Sequence, residues 1–275
     1  MTEVDVAIRG QLIHVEMEGE EHLPVIIFVH GFTGSTSTWT DVRSHFKGSY
    51  RTVAVDLTGH GKTSIPEDPI RYSMEEQVAD LDALFTKLRL ESFTLVGYSM
   101  GGRIALGYTI HNPDKVEALI LESASPGLLS ENDRNARKTS DKELAQKIIE
   151  NGLQSFVDRW EDIPLFESQK RLPLKQRDKI RQERLQQSEK GLANSLLGIG
   201  TGSQPSYWDA LQTINKPVLL ITGELDQKFV SIGLEMKKHA PSWEQTVVSD
   251  AGHAIHVEKP QLFATMIKDY ITRVR

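Results

Sequence analysis

The apolar run Phe93-Thr94-Leu95-Val96 leads directly into Gly97-Tyr98-Ser99-Met100-Gly101, and Gly102-Arg103-Ile104-Ala105-Leu106 then opens a helical pattern. A strand that stops at a glycine and restarts as a helix demands a sharp, strained turn, so small residues must flank the serine. Such a turn lifts the Ser99 oxygen clear of the sheet, and the free N–H groups of the new helix face any negative charge placed there. The pattern therefore commits the chain to a strand inside a sheet with a helix folded back upon it.

The same rhythm recurs along the chain. Val4–Ile8, Leu12–Val15, Val25–Val29, Thr52–Val55, Phe93–Val96, Ala118–Glu122, Val218–Thr222 and Glu244–Val248 read as strands, with amphipathic segments such as Met74–Leu88 and Ile104–His111 between them. This alternation predicts an α/β fold, a mostly parallel eight-stranded sheet with helices on both faces. The tight Arg9-Gly10-Gln11 connection makes the first two runs an antiparallel hairpin at the sheet edge. From about Ser125 to Leu211 the β-branched residues thin out and helix formers take over. Residues 125–210 thus read as a helical lid over the carboxyl ends of the strands, inserted into a core of residues 1–124 and 211–275.

Composition narrows the function classes. The 275-residue chain is long enough for one large core, and its net charge of −6 argues against nucleic-acid partners. It contains no cysteine, which removes disulfides, thiolate metal sites and a cysteine nucleophile together. No apolar run reaches membrane-spanning length and the acidic start lacks a signal-peptide core, so the expectation is a cytoplasmic protein without membrane insertion. Nothing in the sequence sets an oligomeric state.

A serine hydroxyl reacts only when an imidazole takes its proton, and the imidazole needs a carboxylate to fix its tautomer. Asp226, in Thr222-Gly223-Glu224-Leu225-Asp226, and His253, in Asp250-Ala251-Gly252-His253, each follow a strand in the chain order Ser, Asp, His. Glu224 is the competing carboxylate. His256 and Glu258 invite a metal reading, but the spacing matches no metal motif, and His256 reads as a packed or surface residue. His30-Gly31-Phe32-Thr33-Gly34 follows the third strand, where the Phe32 N–H can join that of Met100 in an oxyanion site. Asp56-Leu57-Thr58-Gly59-His60-Gly61 reads as a loop scaffold, with His60 structural.

These motifs, spread from His30 to His253, resemble the α/β-hydrolase-fold family over essentially the whole chain. More narrowly, Gly97-Tyr98-Ser99-Met100-Gly101-Gly102-Arg103, the segments Ser125-Pro126-Gly127-Leu128 and Ala136-Arg137-Lys138-Thr139-Ser140-Asp141, and Trp160 resemble the 2-succinyl-6-hydroxy-2,4-cyclohexadiene-1-carboxylate synthases of menaquinone biosynthesis. The resemblance implies elimination of pyruvate from a small-molecule tricarboxylate, with neither metal nor organic cofactor. A substrate with three carboxylates needs several cations, and arginine's planar fork suits them. Arg103 and Arg137 are the implied ligands, with a third lid arginine assigned to Arg184 or, in its place, Arg181; Tyr98 and Trp160 complete the binding set. A carboxylesterase or carbon–carbon bond hydrolase with an acyl-enzyme on Ser99 uses the same parts, and a ligand-binding receptor is the reading from another class.

Overall fold

In the computed structural model, which describes residues 1–275, all eight expected strands are present: β1 (Thr2–Ile8), β2 (Gln11–Glu18), β3 (Val25–Val29), β4 (Arg51–Val55), β5 (Phe93–Tyr98), β6 (Val116–Glu122), β7 (Val218–Gly223) and β8 (Glu244–Val248). They form one sheet in the order β1-β2-β4-β3-β5-β6-β7-β8. β1 pairs antiparallel with β2 and β2 antiparallel with β4, while every later pairing is parallel. The strand β2 outruns its expected end at Val15 because Glu16 is buried against Arg43, whose guanidinium donates to its carboxylate at 2.8 Å. A charge with a buried partner reads as a strand end in sequence and is none in the fold.

Alternate side chains of the central strands face opposite ways, the period-two rule of a pleated sheet. Ile27, Val29, Leu95, Leu119, Leu121 and Leu220 pack toward helices α2 (Met74–Lys87), α3 (Met100–His111) and α7 (Gln227–His239). Ile26, Phe28, Val96, Ile120 and Ile221 pack toward α1 (Thr40–Ser44), α8 (Ile255–Glu258) and α9 (Pro260–Val274). Both faces of the sheet are therefore covered, which is what near-continuous apolar strands require.

Between β6 and β7 the chain builds no strand. It forms α4 (Glu131–Trp160), α5 (Leu174–Leu185) and α6 (Glu189–Ile199), with a 3-10 stretch at Pro164–Arg171. Gly152, at φ 79°, breaks α4 where the Leu153 N–H turns to donate to Glu189 Oε1 at 2.8 Å. These helices have a core of their own, including Ile148, Phe156, Val157, Leu192 and Leu196, against which Phe32 and Trp160 pack. α5 is tied to the rest of the molecule by Glu183, whose carboxylate accepts from the Ser35 N–H at 3.1 Å and the Thr38 hydroxyl at 2.6 Å. No helix is long and apolar enough to cross a membrane.

Candidate active site

Ser99 sits between β5 and α3 with φ 50° and ψ −107°, a conformation that costs a non-glycine residue energy and persists only where surrounding contacts impose it. Those contacts are visible. The Ser99 N–H donates to the Glu122 carbonyl at 2.8 Å, and α3 lies so close to β3 that a Cβ on Gly101 would stand 2.3 Å from the Val29 and His30 carbonyl oxygens. The G-x-S-x-G spacing is thus a packing requirement as well as a chemical one.

The Ser99 hydroxyl lies 3.0 Å from His253 Nε2, and His253 Nδ1 lies 2.6 Å from Asp226 Oδ2. A carboxylate only accepts, so the Nδ1–H donates to Asp226 and leaves the Nε2 lone pair facing the hydroxyl. Asp226 also starts α7, its Oδ1 3.5 Å from the Phe229 N–H, which anchors the carboxylate to a rigid element. Phe229 places its ring centroid 4.7 Å from that of His253. Glu224 turns away, its carboxylate accepting from the Asp250 N–H at 3.0 Å.

His256 is packed, not exposed. Its Nδ1 lies 2.7 Å from Glu122 Oε2, its main-chain N–H donates to Glu122 Oε1 at 2.9 Å, and both side chains are fully buried. Glu258 instead accepts from the Ser168 hydroxyl and the Gly252 N–H. The Glu122–His256 pair therefore ties the end of β6, which holds the Ser99 N–H, to the segment that carries His253.

His60 packs between His30 and Phe32, its ring centroid 5.2 Å from the first and 5.9 Å from the second. The Leu57 N–H donates to His30 Nε2 at 3.0 Å, so His30 Nδ1 carries the proton and donates to the Gly31 carbonyl. Burial depresses His30 to about 4, and burial together with the nearby His30 depresses His60 to about 3. Unfolded histidines bind protons below about pH 6.5 whereas these folded rings do not, so stability is present above that pH and falls as acid is added. From these two rings alone we expect a loss of about 3–4 kcal/mol between pH 7 and pH 5. Urea unfolding at the two pH values checks this, with His60→Gln expected to remove roughly half of the difference.

The triad-like cluster opens onto a cavity of about 440 Å³ lined by Phe32, Tyr98, Ser99, Met100, Arg103, Arg137, Trp160 and His253, among others. Met100 is the first residue of α3, so its N–H has no acceptor one turn earlier in the helix. The Phe32 N–H makes no main-chain hydrogen bond. Burial pushes the Tyr98 hydroxyl well above its usual range, keeping it a neutral donor. Arg103 is buried, donating to the Ile199 carbonyl at 2.8 Å and to Gln204; burial, then the nearby Arg137, lower it to about 10, so it stays charged near neutrality. Arg137 reaches the cavity from α4 while its Nε donates to Asp141 at 2.8 Å.

The third arginine departs from expectation. Arg184 is absent from the cavity lining: its guanidinium stacks 4.7 Å from the centroid of the Phe166 ring and donates to Gln169 at 3.2 Å, and Phe166 is what lines the cavity. Arg181 is further removed, bound to Asp158 and Glu161. The physical reason is local, since the Pro164–Arg171 stretch slides an aromatic ring in front of α5. Sequence reasoning missed Phe166 because nothing periodic marks it, and missed Phe229 and Lys228 although their positions just after Asp226 put them on the first turn of α7.

Residues 24–260 match the alpha/beta hydrolase fold family. A Bacillus subtilis (strain 168) relative that bears the name 2-succinyl-6-hydroxy-2,4-cyclohexadiene-1-carboxylate synthase provisionally is 44% identical over 94% of this chain and 93% of its own length. The synthase of that name from Enterobacter sp. (strain 638) is 31% identical over 94% of this chain and 95% of its length. The solved structure of MenH from S. aureus superposes with a TM-score of 0.89 at 36% identity, covering 94% of this chain and 98% of that one. The chain therefore belongs to the alpha/beta hydrolase fold family and, within it, to the family of the 2-succinyl-6-hydroxy-2,4-cyclohexadiene-1-carboxylate synthases.

Proposed function

We propose that the protein is a carbon–oxygen lyase that eliminates pyruvate from 2-succinyl-5-enolpyruvyl-6-hydroxy-3-cyclohexene-1-carboxylate, with Ser99, His253 and Asp226 as its catalytic residues. His253, oriented by Asp226, draws the Ser99 proton, and the serine oxygen removes the ring proton α to the succinyl carbonyl. The electron pair passes through the ring double bond and breaks the bond to the enolpyruvyl oxygen, giving the conjugated diene and the enolate of pyruvate. The proton held by His253 offsets that leaving charge, and protonation of the enolate at its methylene carbon completes pyruvate. The Phe32 and Met100 N–H groups hold the enolate oxygen, where preorganised donors stabilise charge as it develops. Residues 125–210 act as the lid that carries Arg137 and Trp160 over the substrate.

The observation that carries this reading is the 3.0 Å contact between the Ser99 hydroxyl and His253 Nε2 in the wall of a cavity also lined by Arg103 and Arg137. An activated hydroxyl suits many reactions; two arginines beside it suit a polyanion. The test is pyruvate release from the enolpyruvyl tricarboxylate, set against a burst of activated-ester hydrolysis. We expect steady pyruvate release and no burst. An acyl-enzyme trapped on Ser99 without pyruvate release assigns the protein to the esterase reading instead.

A further inference from the structure

A polyanion gains from every cation at the cavity wall, and Arg184, stacked on Phe166, is not among the residues that line it. The cavity lining does contain a third cation, Lys228, beside Arg103 and Arg137, and a single carboxylate, Asp133. Lys228 stands on the first turn of α7, two residues after Asp226, on the helix whose start is fixed by the same aspartate that orients His253. Its ammonium makes no hydrogen bond or ion pair with the protein; its one aromatic neighbour is the Phe229 ring, 5.7 Å away. The two arginines differ, since part of the Arg103 fork is taken by Ile199 and Gln204 and the Arg137 Nε by Asp141.

We infer that Lys228 is a substrate-binding residue that supplies a carboxylate contact at the cavity wall, beside Arg103 and Arg137. The inference rests on the lyase reading above for the identity of the anion, while the charge arrangement itself is independent of it. A lysine presents a point charge on a flexible stem, so it can meet a carboxylate without the fixed fork an arginine needs. With the partner residues of both arginines already in place, Lys228 is the lining cation whose full hydrogen-bonding capacity is left for the ligand.

Lys228→Met is expected to raise KM for the enolpyruvyl tricarboxylate about tenfold with kcat changed less than about twofold, the split that marks lost uniform binding. Lys228→Arg is expected to recover most of the affinity. Lys142→Met, which removes an exposed lysine of α4 outside the cavity lining, controls for net charge and is expected to leave KM unchanged. A KM within about twofold of the parent in Lys228→Met overturns the inference. An equal rise in Lys142→Met also overturns it, because the effect is then long-range charge alone. A rise in Arg184→Met without one in Lys228→Met gives the contact to Arg184 and overturns it too. Should the parent protein release no pyruvate, the lyase reading falls, and equilibrium binding of propane-1,2,3-tricarboxylate decides the matter. About tenfold weaker binding in Lys228→Met then supports the anion site, and unchanged binding removes it.

Discussion

Ser99→Ala is expected to lower kcat for pyruvate release by about 10³-fold or more, the scale of a lost general base acting in a built site. Pyruvate formation followed by a coupled NADH assay reads this directly. The removed oxygen is the atom 3.0 Å from His253 Nε2, so the variant leaves the His253–Asp226 hydrogen bond intact while removing the hydroxyl proposed to act as base. Binding of the dicarboxylate product should change little, because the arginines of the cavity are untouched. Alanine also has to occupy the φ 50° conformation, so the unfolding midpoint must be measured beside the rate to separate strain from chemistry. Ser99→Ala combined with His253→Ala should be little slower than either alone, since residues acting as one unit lose their effects together. A Ser99→Ala variant with near-parental rates means that His253 or another group takes the proton directly.

How much of this was legible in the chain follows from which forces act locally. The central strands were readable because the sheet is covered there on both faces, and burial on both sides writes itself as continuous apolar runs such as Val25–Val29 and Val218–Thr222. The edge strands β1 and β8, exposed or half-buried over most of their length, were readable from their β-branched residues instead. The Ser99 turn was readable because its backbone approach to β3 leaves room only for glycine at Gly101. Asp226 and His253 were readable by position, each following a strand in the same sheet. Long-range choices were not. Glu16 hid the end of β2 because its partner Arg43 lies far along the chain, and His256 gave no sign that Glu122 would bury beside it. In the helices between β6 and β7 an arginine in solvent and one in a cavity look alike in sequence. Phe166, outside any period, decides that Arg184 stands behind an aromatic ring and Arg137 does not.

Arg103→Ala is expected to cut kcat/KM for the tricarboxylate by about 100-fold or more, within the 2–5 kcal/mol that truncating one partner of a buried charged contact costs. Two opposing terms set the figure. Arg103 is buried and lies near Arg137, and both the burial and the like charge lower its pKa to about 10, so the cavity wall holds two cations that disfavour each other. A carboxylate placed between them relieves that repulsion, which makes anion binding stronger than either contact alone would be. Against this, Arg103 also supports the fold, because its guanidinium satisfies the Ile199 carbonyl and Gln204 at the end of α6. Alanine leaves both unsatisfied, a cost of about 1–3 kcal/mol where they stay dry. Arg103→Lys separates the two roles: it keeps the charge but loses the fork, and is expected to recover part of the lost kcat/KM without restoring both fold contacts. Activity toward an uncharged activated ester serves as the internal reference. If Arg103→Ala depresses ester hydrolysis and pyruvate release equally, the arginine acts through the position of α6 and not through a substrate carboxylate. If it depresses pyruvate release alone, the positive charge is what commits an ordinary serine–histidine pair to a polyanionic substrate.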